Sequence, residues 1–300
     1  MSLLDGLNHY GDTTLSDLLI DNLVQFLNHG FLEIGAYINV PSGKVSYNGG
    51  DMSRMNPVFA TGATNYTIWR GTKNNWVWES NITLKYASGT QPIVATGIYL
   101  NGSSTPTGYY IDFSRGQVVF NSPQPSNSLV QVPHTLRAVQ VYRCDSNEYR
   151  EIESNWRQVN TSGIYNNQYK AYLPAVFVDI SKFETIRGSQ LGSRMKFVKA
   201  NVNFEIFTNN DYELKRLIDI LYMLEEKSIK LFHPENSPRP LNYRGELINP
   251  SSTYVNLIEQ YPYGDARFNG EAMTYKSPPK DMPIRRGRVE VGLEFDAIPF

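Results

Sequence analysis

The sequence predicts an α+β protein with an N-terminal amphipathic helix, a β-sandwich-like domain and a C-terminal α/β module built on a mostly antiparallel sheet and one long helix. Three observations carry this. Two segments late in the chain alternate apolar and polar residues, short β-rich runs fill residues 31–142, and two helices open on recognisable caps. The implied division is an arm at 1–34, the β domain at 35–144, a polar linker or interface segment at 145–170 and the module at 171–300.

The first helix is expected over Thr14 to Asn28, where Leu15, Leu18, Leu19, Leu23, Phe26 and Leu27 recur at spacings of three and four. Thr14 with Asp17 makes a capping-box start, and Gly30 is placed as the C-terminal cap. Ile20 and Val24 widen the apolar face, so the helix either packs on its own domain or also docks on a neighbour.

The β-rich region contains Tyr66–Trp69, Trp76–Trp78, Asn81–Tyr86, Ile93–Leu100, Tyr109–Phe113, Gln117–Phe120 and Ala138–Tyr142, separated by Gly, Asn, Ser and Pro clusters. The clearest hairpin runs from Tyr110 to Phe120, with Ser114-Arg115-Gly116 as its turn and Gly116 free to take positive φ. Residues 145–170 are polar, with Trp156 as the one large anchor.

In the last third, Leu173–Ile180 reads as a buried strand. Phe197–Phe207 alternates, with Val198, Ala200, Val202, Phe204 and Ile206 on one face and Lys199, Asn201, Asn203 and Glu205 on the other. Asn210 and Glu213 open a helix that turns Leu214, Leu217, Ile218, Leu221 and Leu224 inward, and Ser228–Phe232 follows as a short strand. A Pro-, Asn- and Tyr-rich stretch, 233–286, reads as a long loop ordered by a neighbouring subunit, before a final alternating strand from Arg288 to Ile298.

Composition narrows the function. With 29 acidic against 28 basic residues the net charge is −1, which argues against a dedicated nucleic-acid binder. The 20 tyrosines suit interfaces as well as cores. Cys144 is the single cysteine, so a disulfide framework and a Cys-rich zinc site are excluded, and it reads as an inert small residue. No apolar run approaches membrane-spanning length, and neither secretion nor membrane insertion is expected.

Catalytic chemistry finds little support. His9, His29, His134 and His233 are scattered without ligand spacing, and His29 is expected to interact with a helix end. Asp112, Glu148, Glu151 and Glu153 could in principle supply the paired carboxylates of a glycosidase, although such pairs are common in any chain. Trp69, Trp76 and Trp78 could stack sugars or bases, against the plainer reading as core. No enzyme, cofactor or metal is expected.

Two stretches resemble a family of tailed-phage virion proteins. The first is Thr107 to Ser122 with Val130–Val132 and Arg137–Tyr142; the second is Leu173–Val178, Gly188–Gly192, Val202–Phe207 and the helix through Leu231. The strand, glycine turn, strand, helix order is similar to that of tail-terminator and neck subunits. The resemblance implies a structural protein of the virion, assembled in host cytoplasm. It would form a homo-oligomeric ring at the head-to-tail junction, with portal or adaptor, tail-tube or sheath proteins as partners and DNA passing through the lumen. Subunit-contact candidates are then Leu19, Leu23, Phe26, Tyr243, Tyr254, Tyr261 and Tyr263, and Arg285, Arg286 and Arg288 are candidates to face DNA or an acidic partner. A baseplate or receptor-binding protein is the alternative, and a cell-wall glycosidase stands behind it.

Overall fold

The computed structural model describes residues 14–43, 50–58, 64–80, 82–85, 89–104, 106–157, 172–186, 196–276 and 284–297. In chain order the elements are α1 (Leu15–Glu33), β1 (Tyr37–Val40), β2 (Asn56–Pro57), β3 (Asn65–Arg70), β4 (Tyr99–Leu100), β5 (Tyr109–Asp112), β6 (Gln117–Pro125), β7 (Val130–Gln131), β8 (His134–Arg137) and β9 (Gln140–Arg143). Then come α2 (Asn147–Arg157), β10 (Ala175–Ile186), β11 (Lys196–Thr208), α3 (Asp211–Tyr222), β12 (Ser228–Phe232), α4 (Tyr254–Gln260), β13 (Pro262–Lys276) and β14 (Arg285–Ala297). The α+β class expected from the sequence is the class observed.

The larger unit is a six-stranded sheet ordered β12-β13-β14-β11-β10-β9, antiparallel except where β9 runs parallel to β10. Val176 and Val178 of β10, Val198 to Ile206 of β11 and Val289 to Phe295 of β14 turn alternate side chains to one face, where α1 and α3 cover them in a single core. Burying one such aromatic, Phe204, contributes enough that truncation to Ala costs about 3–5 kcal/mol. Gly287 lets α3 sit close, because a Cβ there would stand 2.8 Å from Leu214 Cδ1.

Both helix starts follow the sequence. Thr14 and Asp17 form the capping box on α1, and the Asn210 side chain accepts from Glu213 N at 2.8 Å to open α3. The end of α1 does not. Gly30 lies inside the helix, which continues to Glu33 because Phe31 and Leu32 are buried, 4 % and 1 % exposed. Gly35, at φ +77°, takes the left-handed position instead, and Ala36 N–H donates to Phe31 O at 2.8 Å to close the last turn.

The stretch at 233–286 is also more regular than a loop. It holds α4 and the 15-residue β13, which pairs with β12 on one side and β14 on the other. Two register shifts along β13, at Pro262/Gly264 and between Asn269 and Met273, break the period-two signal. The polar segment at 145–170 likewise contains α2, whose Tyr149 and Ile152 pack on Phe177 and Phe207 of the opposite sheet face. Residues 158–171 and the Trp156 side chain lie outside the described residues, as does the Gly188–Gly192 turn.

The edge strand β12 is held by side chains. Buried Asn22 of α1 donates Nδ2 to Phe232 O at 2.9 Å and accepts Phe232 N at 2.7 Å, while Tyr254 OH donates to Lys230 O at 2.7 Å.

The β-rich unit is a four-stranded sheet ordered β2-β3-β6-β5 with two ribbons, β1-β8 and β4-β7, around a second core. The Tyr110–Phe120 hairpin forms as β5 and β6, with Gly116 at φ +58° where a Cβ would meet Lys73 O at 2.3 Å. Ile93–Leu100 contributes a ladder only at its end, Tyr99–Leu100; Ile93 N instead donates to Thr135 Oγ1 at 2.6 Å. Residues 82–85 of the expected Asn81–Tyr86 strand join no ladder, and Asn81 and Tyr86 lie outside the described residues.

The two units meet at a buried carboxylate. Glu79, fully buried, lies 2.9 Å from His29 Nδ1 on α1 and 3.4 Å from Arg137 Nη2 on β8. His29 is thus a mid-helix buried residue rather than a helix-end one, because the helix runs four residues beyond it. Leu32, Val77 and Ile82 pack beside this cluster. Removing the carboxylate leaves a buried guanidinium unpaired, so Glu79→Ala should cost about 3–5 kcal/mol in urea denaturation. The double replacement Glu79→Leu with Arg137→Met should recover most of that loss; a single-variant cost under ~1 kcal/mol would contradict this role.

Candidate interaction surfaces

The outward face of the large sheet is a ladder of charges. The register sets Glu205 opposite Arg288, Asn203 opposite Glu290 and Lys199 opposite Glu294. Arg286 Nε and Arg288 Nε lie 2.9 and 3.0 Å from the two oxygens of Glu205, and Arg288 Nη1 lies 3.2 Å from Glu290. Asn203, oriented to suit its neighbours, donates to Glu290 at 3.1 Å and accepts from Ser181 Oγ at 3.2 Å. Glu205 and Asn203 are 6 % and 1 % exposed, so this polar face is dense rather than simply wet. Arg285 adds a pair with Asp211 at 3.7 Å. The three arginines proposed to face DNA or an acidic partner therefore each have an acid of their own chain beside them.

The apolar and aromatic candidates divide sharply. Leu19 and Leu23 are fully buried in the molecule's own core and cannot reach a neighbour; α1 uses that face on its own sheet. Phe26 packs edge-on against Tyr254, centroids 5.6 Å apart. Tyr254 and Tyr263 are buried, and Tyr261 is half-buried beside them. Tyr243 is open, 85 % exposed, and next to it Arg244 lies over the rings of both Tyr243 and Tyr110. Met273 and Tyr275 are exposed on the outward face, opposite Glu290 and Arg288, while Tyr212 is exposed on α3 over the other face, where Lys276 pairs with Asp211 at 3.1 Å.

A feature that sequence reading missed sits at the start of α1. Arg143 at the end of β9 reaches Asp17 at 2.6 Å, Asp21 at 2.7 Å and Asp145 at 2.9 Å. The hydrogen bond to Asp145, with those to Asp17 and Asp21, holds the guanidinium above its ordinary pKa despite partial burial. Burial raises Asp21 against the pull of Arg143. The hub borders a polar crevice of about 540 Å³ whose far wall carries Glu235, Ser237 and Arg239. Asp17 and Asp21 at helical spacing were the available signal, but their partner is more than a hundred residues away.

The catalytic candidates are occupied structurally. Asp112, fully buried, accepts from Ser114 Oγ at 2.6 Å, Arg115 N at 2.9 Å and Gln117 Nε2 at 3.2 Å, tying its own hairpin turn. The segment at 242–247 docks there too, with Phe113 N donating to Gly245 O at 2.9 Å. Glu148, Glu151 and Glu153 lie on α2. Trp69, Trp76 and Trp78 are 1 %, 0 % and 7 % exposed, so the core reading holds. Burial pushes the Cys144 thiol well above its ordinary range, in keeping with an inert residue. His134 stacks on Trp76 at 4.2 Å, and His233 lies edge-on to Tyr263; His9 is outside the described residues. Among the described residues no group of three or more His, Cys, Asp or Glu side chains is arranged to hold a metal ion. Among the described residues no helix is long and apolar enough to cross a membrane.

No protein-family model matches the chain, and no curated protein sequence matches it.

Two outcomes test these environments. Burial pulls the His134 pKa from 6.5 down to about 4, so the unfolded chain binds a proton first as pH falls. Its stabilising contribution is complete above pH ~6.5 and is lost progressively toward pH ~4, on the order of 3 kcal/mol. The stability gap between the native chain and His134→Gln should therefore narrow over that window. Gly245 has φ +79° and would place a Cβ 2.1 Å from Asp112 Oδ1. Gly245→Ala should destabilise by at least ~2 kcal/mol and expose the 242–247 turn to proteolysis, whereas Gly30→Ala, with open space around it, should be neutral or stabilising.

Proposed function

We propose that this chain is a structural subunit of a tailed-phage virion that builds a closed ring at the head-to-tail junction, joining portal or adaptor to tail while DNA passes through. The observation that carries the reading is a pair of unlike exposed patches on the two units. Tyr243 and Arg244 stand on the β-rich unit beside Tyr110, and Met273 and Tyr275 on the outward face of the large sheet. A ring closes through heterologous contacts, in which one surface of a subunit meets a different surface of the next. Tyr, Met and Arg are the residue types enriched at such contacts, and Tyr and Arg recur among binding hot spots.

The hairpins support the same reading. Strands β10, β11, β13 and β14 run 12 to 15 residues, well beyond the usual five or six, and their tips leave opposite ends of the sheet. Past the helix-covered region Ser181, Lys182 and Glu184 are exposed, as are Met273 to Lys276, so side chains at both ends are open to neighbours. The paired arginines make specificity at the ladder face a matter of matching alternate charges rather than of binding bare phosphate. The receptor-binding alternative rests on the β-sandwich-like domain and its tryptophans, and the burial of Trp69, Trp76 and Trp78 removes the second of these supports.

Mass photometry of the purified chain and of the particle that carries it tests the proposal. Closed assemblies of more than two copies are expected in solution or in the particle, and Met273→Ser with Tyr275→Ser should shift them toward monomer without changing the folded state. A chain that is strictly monomeric and confined to fractions without particles would overturn it.

A further inference from the structure

A groove of about 410 Å³ runs between the C-terminal half of α1 and the end of α3. Phe26, Gly30 and Ile34, spaced by four, follow one another along the α1 wall, and Met223 and Leu224 stand on the other. Ile34 is 38 % exposed and Met223 66 %, so this is apolar surface left to water. Gly30 makes a notch in the α1 wall, because a Cβ there would meet no atom within 4 Å. Glycine inside a helix weakens it, and no described side chain uses the space that this one leaves.

The groove is complementary to itself. Its α1 side carries Glu33, 3.5 Å from Lys85, and its α3 side carries Lys227, which makes no ion pair among the described residues. The most exposed apolar side chain of the groove, Met223, belongs to the same α3 end as Lys227. A two-fold axis parallel to the groove and offset toward α3 places the α3 end of each copy in the groove of the other. Met223 then enters the notch at Gly30, and Lys227 of one copy comes within reach of Glu33 of the other. The unbranched thioether suits an irregular gap of this kind. Apolar burial and the charge pair are each made twice, as an isologous contact requires.

We propose that this groove is a two-fold contact between two copies of the chain, closed by Met223 of each over Gly30 of the other. Burial of the exposed walls drives the contact, and the opposite charges on opposite walls set its direction. It is separate from the heterologous contacts of a ring and does not depend on the assembly role. The apolar centre is small, so the pair forms in the micromolar range and comes apart at the nanomolar dilution of mass photometry.

Sedimentation of the full chain carrying Met273→Ser and Tyr275→Ser, which removes a ring surface, tests the proposal over roughly 1 to 100 µM. The mass should rise from one copy to two and stop there. Gly30→Leu fills the notch in open space, so the chain should fold as before while the Kd of the pair rises at least roughly tenfold. The axis passes beside the α3 end, which brings the two copies of Met223 near each other. With Cys144→Ser as background, Met223→Cys should therefore give a disulfide-linked dimer under mild oxidation, and Gly30→Leu should prevent it. A chain that stays monomeric throughout would overturn the proposal and leave the groove to a different protein. A dimer or disulfide indifferent to Gly30→Leu, or growth past two copies, would overturn it as well.

Discussion

The buried carboxylate of Glu79 is the constraint on which the relation of the two units depends. It is fully buried and answers a histidine on the helix that roofs the large sheet and an arginine on a strand of the β-rich unit. Each partner is buried, so none can turn away to solvent without leaving another uncompensated. Hydrophobic contacts alone would tolerate some sliding between two cores. A charge held by two directional partners does not, so the helix, the sheet beneath it and the β unit are set in one geometry.

Much of the larger unit was legible because its local signals agree with its tertiary role. In β11 and β14 strict alternation coincides with one helix-covered face, and at Thr14 and Asn210 the capping side chains are the ones a helix start requires. Legibility failed where tertiary contacts supply what the local sequence lacks. The bulged β13 loses its period, and α2 is held by two apolar side chains on an aromatic cluster that its own sequence does not announce. Around Ile93 the backbone bonds to Thr135 and Asn39 side chains instead of to a neighbouring strand, a substitution no periodicity reveals.

The surface candidates show the same limit. Residue type identified tyrosines and arginines as contact-prone, but burial and pairing decide which remain available, and those depend on partners far along the chain. Glu205 neutralises Arg286 and Arg288 from a strand some eighty residues earlier, while Tyr243 stays open because its turn is anchored by the neighbouring Gly245 against Asp112. The Arg143 hub is the converse case, a conspicuous electrostatic feature assembled from two acids on the first helix and one acid beside β9.

The small amide of Asn22 has a consequence for how copies of the molecule can associate. By taking both the N–H and the C=O of Phe232, and with Tyr254 taking the carbonyl of Lys230, the first and fourth helices fill the hydrogen-bonding positions that an incoming strand would need at this edge. Strand addition along this end of β12 is hindered. Copies that meet at this edge must recognise one another through side-chain shape and charge, which fix an angle between neighbours, and a ring results where that rotation closes.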